Sequence, residues 1–337
     1  MVGLRSFQRL WKAIIPHITS VKPRTDLCWQ CYKNNYQLSR SVNISDEKMA
    51  EKHQEQIDHL ALAQRERELY QEMSAACKKI CEEWKLSLGP SKHASKKITM
   101  HYSFDFAQQV SGCIIIHFQY SVRILLYFCV CVCIHVYLFI LLSPQVHYPS
   151  SALQVGQLYF LTARKCGLFG VHCEGLAKQV NYLIDEGMAS GKGSNAVISY
   201  LHHFFNNYGV GEENVDLHCD NCSGQNKNNY MLWYCAWRTI HKLHVNLGIH
   251  LLIAGHTKFG PDWCFGLFKQ VYRRSRVDTL ADIATVMAKS SEQKRVNLSQ
   301  LVGHEDGTVL VHGFDWHNHL TPYFRKLPQI KSYQHFR

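Results

Sequence analysis

Apolar positions recur at two different periods along this chain. Tyr70, Met73, Cys77, Ile80 and Trp84 follow one another at alternating spacings of three and four, which places them on one face of a helix. The opposite face is rich in Glu, Lys and Arg, and the pattern predicts a long helix over 45–86 that serves as a packing helix or coiled-coil arm. Ser45 is placed to cap it, and Asp46 and Glu47 fall in the first turn, where the helix dipole favours negative charge. Leu88-Gly89-Pro90-Ser91 ends the helix, and Lys92–Lys97 forms a basic linker.

From Ile98 the period shortens. ITMHYSFDFAQQV reads as a strand carrying Asp105, and residues 158–174 read as two short strands joined near Lys165–Gly167. Residues 194–209 form an amphipathic helix with Ser194 as its cap, and 215–221 a strand ending in Asp220. A second helix over 228–243, a strand over 245–257 and a helix opened by Gly260 follow. That last helix has Pro261 at its first position and Asp262 next. The order β-β-β-α-β-α-β-α predicts a mixed α/β sheet flanked by helices. The expected organisation is a basic segment (1–44), the long helix (45–90), the α/β domain (96–290) and a C-terminal tail of that domain (291–337).

One stretch interrupts this pattern. Ile124–Leu142 is apolar apart from His135, and nineteen helical residues span roughly 28 Å, close to a bilayer core. Its flanks suggest another origin. Cys129-Val130-Cys131-Val132-Cys133 is what an in-frame TG repeat encodes, Gln109-Val110-Ser111 can be encoded by CAG-GTA-AGT, a splice donor, and Leu138–Gln145 can be encoded by a pyrimidine-rich acceptor. Val110–Gln145 is 36 residues, and its removal joins Gln109 to Val146 in frame. The expectation is a translated retained intron inserted in a strand region; a membrane span through 124–142 and a buried core segment are the competing readings.

Composition narrows the class. The chain has 337 residues, 46% hydrophobic and 19% charged, which excludes a disordered or fibrous protein. The formal net charge of +11 suits a polyanionic partner, nucleic acid above all, although a basic surface also serves solubility. No continuous apolar core lies between Met1 and Thr19, so no signal peptide is expected, and the 14 cysteines are read as mostly free thiols. Cys28 and Cys31 form a C-x2-C pair, half a zinc knuckle, whose second half would come from His53, His59, Cys77 or Cys81; the alternative is two thiols in a turn. Cys219 and Cys222 repeat the spacing, but Cys219 sits on a strand and is read as packing.

Three aspartates stand at element ends: Asp105, Asp220 and Asp262. Carboxylates so placed can converge on one sheet edge, and hard oxygen ligands suit Mg²⁺ or Mn²⁺. Two such ions can activate a water or a 3′-hydroxyl and stabilise the leaving oxygen in phosphodiester chemistry. Strand-end aspartates are also common turn formers. Asp278 and Asp282 compete as the third acid, with Asp278 read as the cap of the helix TLADIATVMA.

SFDFAQQ (103–109), HCDNCSGQNKNN (218–229) and GHTKFGPDWCFGLFK (255–269) resemble a transposon-derived eukaryotic domain family. The resemblance implies an RNase H-like fold similar to DDE/DDD transposases and retroviral-type integrases. It implies Asp105, Asp220 and Asp262 as catalytic metal ligands. Asn221, Gln225, Asn226 and Lys227 would contact phosphate or base edges, or else form a hydrogen-bonded turn capping the next helix. His256 and Lys258 would orient water or bind phosphate, or form a solvated loop. Arg273, Arg274 and Arg276 add a basic run able to neutralise phosphates, or a solvated face.

The expected function is therefore metal-dependent DNA strand transfer or nuclease chemistry, in a nuclear or cytoplasmic protein with Mg²⁺ or Mn²⁺ and Zn²⁺ as candidate cofactors. A non-catalytic, domesticated nucleic-acid or protein-binding module is the rival, and a single-pass membrane protein the third reading.

Overall fold

The computed structural model describes residues 28–39, 45–107, 145–150, 163–188, 191–293 and 295–337. The chain divides into two compact units, Met1–His59 and Leu60–Arg337. The first holds helix α1 (Trp29–Ser39) and the start of α2 (Asp46–Glu83). The division at 59/60 falls within the long helix. The remainder of α2 buries Ala63, Glu66, Cys77 and Cys81 at helical spacing. Trp84, assigned to that face by periodicity, lies past the helix end and is 49% exposed.

The second unit is built on strands β1 (Lys96–Phe106), β2 (Gln145–Tyr148), β3 (Arg164–Cys173), β4 (Lys178–Asp185), β5 (Glu212–Cys219), β6 (Asn246–Leu251), β7 (Asn297–Leu301) and β8 (His335–Phe336). They form one mixed sheet in the order β7-β4-β3-β1-β5-β6-β8, with β2 paired to β3. β3 is antiparallel to β1 and β4, while β5 is parallel to both β1 and β6. The expected strand pair within 158–174 is corrected: Arg164–Cys173 is one strand, and the turn comes at Glu174–Ala177, before β4. Residues 291–337, the C-terminal part of the domain, contribute β7 and β8 to the sheet.

β1 and β2 share a neighbour. β1 runs to Phe106 opposite Phe169, and the Ala107 amide donates to the Leu168 carbonyl at 2.9 Å. β2 begins with Gln145 opposite Gly167, the next position along β3. The two strands therefore lie end to end, in the same direction, on one edge of β3.

Helices α3 (Ser194–Asn207), α4 (Asn229–Ile240), α5 (Gly260–Tyr272), α6 (Leu280–Lys289) and α7 (Trp316–Leu320) complete the unit. Strand alternation gives the sheet two unlike faces. Met100, Tyr102 and Phe104 of β1, with Val215, Leu217 and Cys219 of β5, belong to a large apolar core that also takes in α3 and α4. A smaller cluster joins Val146, Cys166 and Leu168 to Phe265 and Phe268 of α5 and Ile283 and Met287 of α6. Two cap assignments change. Gly193, not Ser194, is the N-cap of α3, and Thr279, not Asp278, caps α6, closing a capping box with Asp282. The hydrophobic stretch 124–142 lies outside the described residues; among those described, no helix is long and apolar enough to cross a membrane.

Candidate carboxylate centre

The face of β1 opposite its apolar side carries His101, Ser103 and Asp105. The parallel register sets His101 opposite Asp216 and Ser103 opposite His218, so Asp105 and Asp220 stand two positions further on, side by side on neighbouring strands. α5 packs on β1 and β3 and brings Asp262 in its first turn. The three aspartates expected from the sequence thus stand at one end of the sheet, near enough for Asp220 and Asp262 to act on Asp105, although their oxygens do not form a group within 4.8 Å of one another among the described residues. Burial raises the Asp105 pKa well above the ordinary carboxylate range, and the charges of Asp220 and Asp262 raise it further. Lys269, one side of α5 along from Asp262, faces the same group: burial lowers its pKa, while Asp262 and Asp105 pull it back up.

Each aspartate also has a local partner. Asp105 Oδ1 accepts from the Phe106 amide at 2.7 Å. Asp220 Oδ1 accepts from the Cys222 amide at 3.1 Å and from Asn226 Nδ2 at 2.6 Å, yet burial still raises its pKa. Asp262 Oδ2 accepts from the Phe259 amide at 3.3 Å, at the N-terminus of its own helix.

The SGQNKN loop is a tight turn in which the amides of Gln225, Asn226 and Lys227 all donate to the Cys222 carbonyl, and Asn228 caps α4 by accepting from the Met231 amide. Within it, Asn226 is 3% exposed and orients Asp220. Lys227 is 6% exposed and donates through Nζ to the Lys331 carbonyl at 2.9 Å, so it does not project toward a phosphate. Asn221 and Gln225 are half-buried. The carbonyls of His256 and Lys258 accept from Arg67, which places these residues in a braced loop before α5. Arg273, Arg274 and Arg276 are exposed after α5, and Arg276 Nε pairs with Asp278 at 2.7 Å. Cys219 is fully buried, as a packing residue should be.

The sequence reading missed a second polar group on the same sheet face. The Glu174 side chain, 8% exposed, accepts from Tyr70 Oη at 2.6 Å and from Ser103 Oγ, with His172 Nε2 at 3.8 Å. Beside it runs a row of histidines. His101 Nε2 meets His218 Nδ1 at 2.7 Å, the His218 ring stacks on His250 at 4.8 Å, and His250 meets Asp216 at 3.2 Å and His335 at 2.9 Å. The alternations H-x-S-x-D at 101–105 and D-x-H-x-D at 216–220 carried this signal.

Within the N-terminal unit, the metal-ligand atoms of Cys28, Cys31 and His59 all lie within 4.8 Å of one another, and Cys28 Sγ is 3.2 Å from His59 Nε2. This Cys/His group could hold a metal ion. Of the candidates for completing the C-x2-C pair, His59 is the one brought to it; Cys77 and Cys81 are buried in the second unit. None of the ten described cysteines is in a disulfide.

A family model described as Domain of unknown function (DUF7869) matches residues 162–337. No curated protein and no solved structure matches the chain. The family match takes in Asp220, Asp262 and the sheet from β3 onward, more than half of the sequence, and the chain belongs to the DUF7869 family.

Proposed function

We propose that the second unit is a transposon-derived, RNase H-like domain whose ancestral chemistry is metal-dependent phosphodiester cleavage or strand transfer on DNA. The observation that carries this reading is the meeting of Asp105 and Asp220, side by side on parallel strands, with Asp262 on the helix that crosses β1. The strand order supports it. With β1 and β2 counted as one line, the unit runs β-β-β-α-β-α-β-α, the order expected for that fold.

The residue types suit a divalent cation, since three carboxylates are hard oxygen donors. Asp105 is raised by burial and by two neighbouring acids, which is the repulsion a bound cation relieves. Mg²⁺ or Mn²⁺, held by Asp105 and Asp220 with Asp262, would supply Lewis-acid activation of a phosphoryl group. Asn226 holds the Asp220 carboxylate in place, and Lys269 balances charge from α5. In the N-terminal unit, Cys28, Cys31 and His59 suit Zn²⁺, since thiolate and imidazole ligands select it over hard cations.

One observation favours the non-catalytic module instead: Asp262 accepts from the Phe259 amide and so also serves as a helix cap. Melting curves of wild type, Asp105→Asn, Asp220→Asn and Asp262→Asn with and without Mn²⁺ separate the two. The enzyme reading expects Mn²⁺ to raise the wild-type Tm by mass action and Asp220→Asn to abolish the gain. No Mn²⁺-dependent shift in wild type at millimolar metal would leave the binding module.

A further inference from the structure

Between Asp220 and Asp262 the chain contains no acidic residue, and neither does 316–337. Parts of these two stretches lie against each other in the second unit. The segment after α7 crosses the start of α4 and is pinned there by its backbone. Trp233 Nε1 donates to the Arg325 carbonyl at 3.0 Å, the Leu327 amide donates to Asn229 Oδ1 at 2.7 Å, and Lys227 Nζ donates to the Lys331 carbonyl at 2.9 Å. The Phe324 ring stacks on Trp233, with centroids 6.1 Å apart. The anchors run from the second turn of α4 back to its first residue and on into the loop that follows Asp220. Trp233 and Asn229 are four residues apart on that helix, roughly 6 Å along its axis.

Arg325, Lys326 and Lys331 on this segment are exposed. The bonds that hold the segment are made by its backbone, so the three charged side chains remain in water. They stand in file on a braced strip that leads toward the carboxylate centre. The acids nearest the strip are engaged elsewhere. Asp220 accepts from the Cys222 amide and from Asn226, Glu66 is 8% exposed and pairs with His335 at 3.1 Å, and Asp315 caps α7. Like charges held in a row repel one another until an anion lies on them. A row that ends at a centre suited to phosphodiester chemistry matches a phosphate backbone, whose charges recur along a line. A flat anionic membrane could meet the cations, but it has no group to carry on to Asp220.

We propose that 325–331 is a rail on which the phosphate backbone of DNA lies as it approaches the carboxylate centre. The rail rests on the phosphodiester reading of that centre. Lys227 serves it as an anchor through the Lys331 carbonyl rather than as a phosphate ligand.

The test is binding of duplex DNA by the full chain without divalent metal, measured across a salt series. Replacing Arg325, Lys326 and Lys331 together by Ala should flatten the slope of log K against log salt by about 2.7. The charge-keeping variant with Arg325→Lys, Lys326→Arg and Lys331→Arg should hold the wild-type slope, which separates lost charge from lost folding. Asp220→Asn should hold that slope too and lose only the Mn²⁺ response. Failure of the carboxylate reading therefore shows in the melting curves, and failure of the rail in the salt series. An unchanged slope in the alanine variant would overturn the rail. Phosphatidylserine vesicles that bind wild type but not the alanine variant, with DNA binding equal in both, would assign the strip to a membrane surface and overturn it as well.

Discussion

Tyr70 donates to Glu174 at 2.6 Å while accepting from the Gly260 amide at 3.0 Å, so one phenol ties α2 to the end of β3 and to the start of α5. Burial pushes the Glu174 carboxyl up from 4.5 to about 7, against the hydrogen bonds from Ser103 and Tyr70. A raised pKa means that the folded state holds the proton more tightly than the unfolded one. Its contribution is full below pH 4.5 and is lost as pH rises through about 7. Glu174→Gln should remove this dependence. Chemical denaturation from pH 4.5 to 8 should show wild type losing about 3 kcal/mol relative to the variant over that range. Parallel curves would mean the carboxyl is ionised throughout.

The buried histidines act with the opposite sign. Burial lowers the pKa of His101 and of His172 from 6.5 to about 4, so both are neutral in the fold and take up protons on unfolding. Their contribution is present above pH 6.5 and is lost as pH falls toward 4. His172→Gln should therefore resist acid better than wild type, by up to about 3 kcal/mol at pH 4 after correction for its difference at pH 7.5. An unaltered acid midpoint would show that other groups set the acid limb.

Asn226 is the hinge between the loop and Asp220. Its Nδ2 donates to Asp220 and its buried Oδ1 has no partner among the described residues. Asn226→Ala should cost about 1–3 kcal/mol, as removal of a buried hydrogen-bonding partner does. It should also shrink the Mn²⁺-induced rise in Tm by freeing the Asp220 carboxylate to rotate. A stability loss with the Mn²⁺ response intact would restrict Asn226 to the turn.

The arginine run makes a graded prediction. Arg273 and Arg274 are exposed, whereas Arg276 is paired with Asp278. Each phosphate contact contributes about 0.9 to the slope of log K against log salt on duplex DNA. Replacing Arg273 and Arg274 by Ala should flatten that slope by about 1.8, and Arg276→Ala by less, since its charge is already shared. Identical slopes for all three proteins would take the run out of the binding surface.

The elements most legible in the sequence were those whose chemistry is local. The Pro261–Asp262 start of α5, the strand ahead of Asp220 and the helix after Asn228 follow from caps and alternation, and all appear where expected. The three aspartates were legible as element-end carboxylates, but their meeting depends on a parallel register between β1 and β5 that no single stretch encodes. Lys227 shows the limit clearly. Its neighbours suggest a phosphate contact, and the Lys331 carbonyl that accepts its hydrogen bond comes from 104 residues away. β4 was missed because Lys178–Asp185 is buried on both faces, so it lacks the alternation that marks a half-exposed strand. Glu174 was missed for a similar reason: it sits in a turn, and its meaning comes from α2.

The end-to-end placement of β1 and β2 on β3 makes this sheet divisible. Neither strand needs the other for its hydrogen bonds; both need β3, and Val146 and Tyr148 are buried in the cluster with Phe268 and Ile283. A chain cut once between Ala107 and Gln145 would keep every described pairing of the sheet, with β1 held between β3 and β5 by two ladders. Fragments 1–109 and 146–337, made separately, should reassemble into one folded particle, β1 entering as a peptide fills a gap in a sheet. Split in this way, the protein would bring Asp105 on one polypeptide to Asp220 and Asp262 on another, and the Mn²⁺ response would report their reunion.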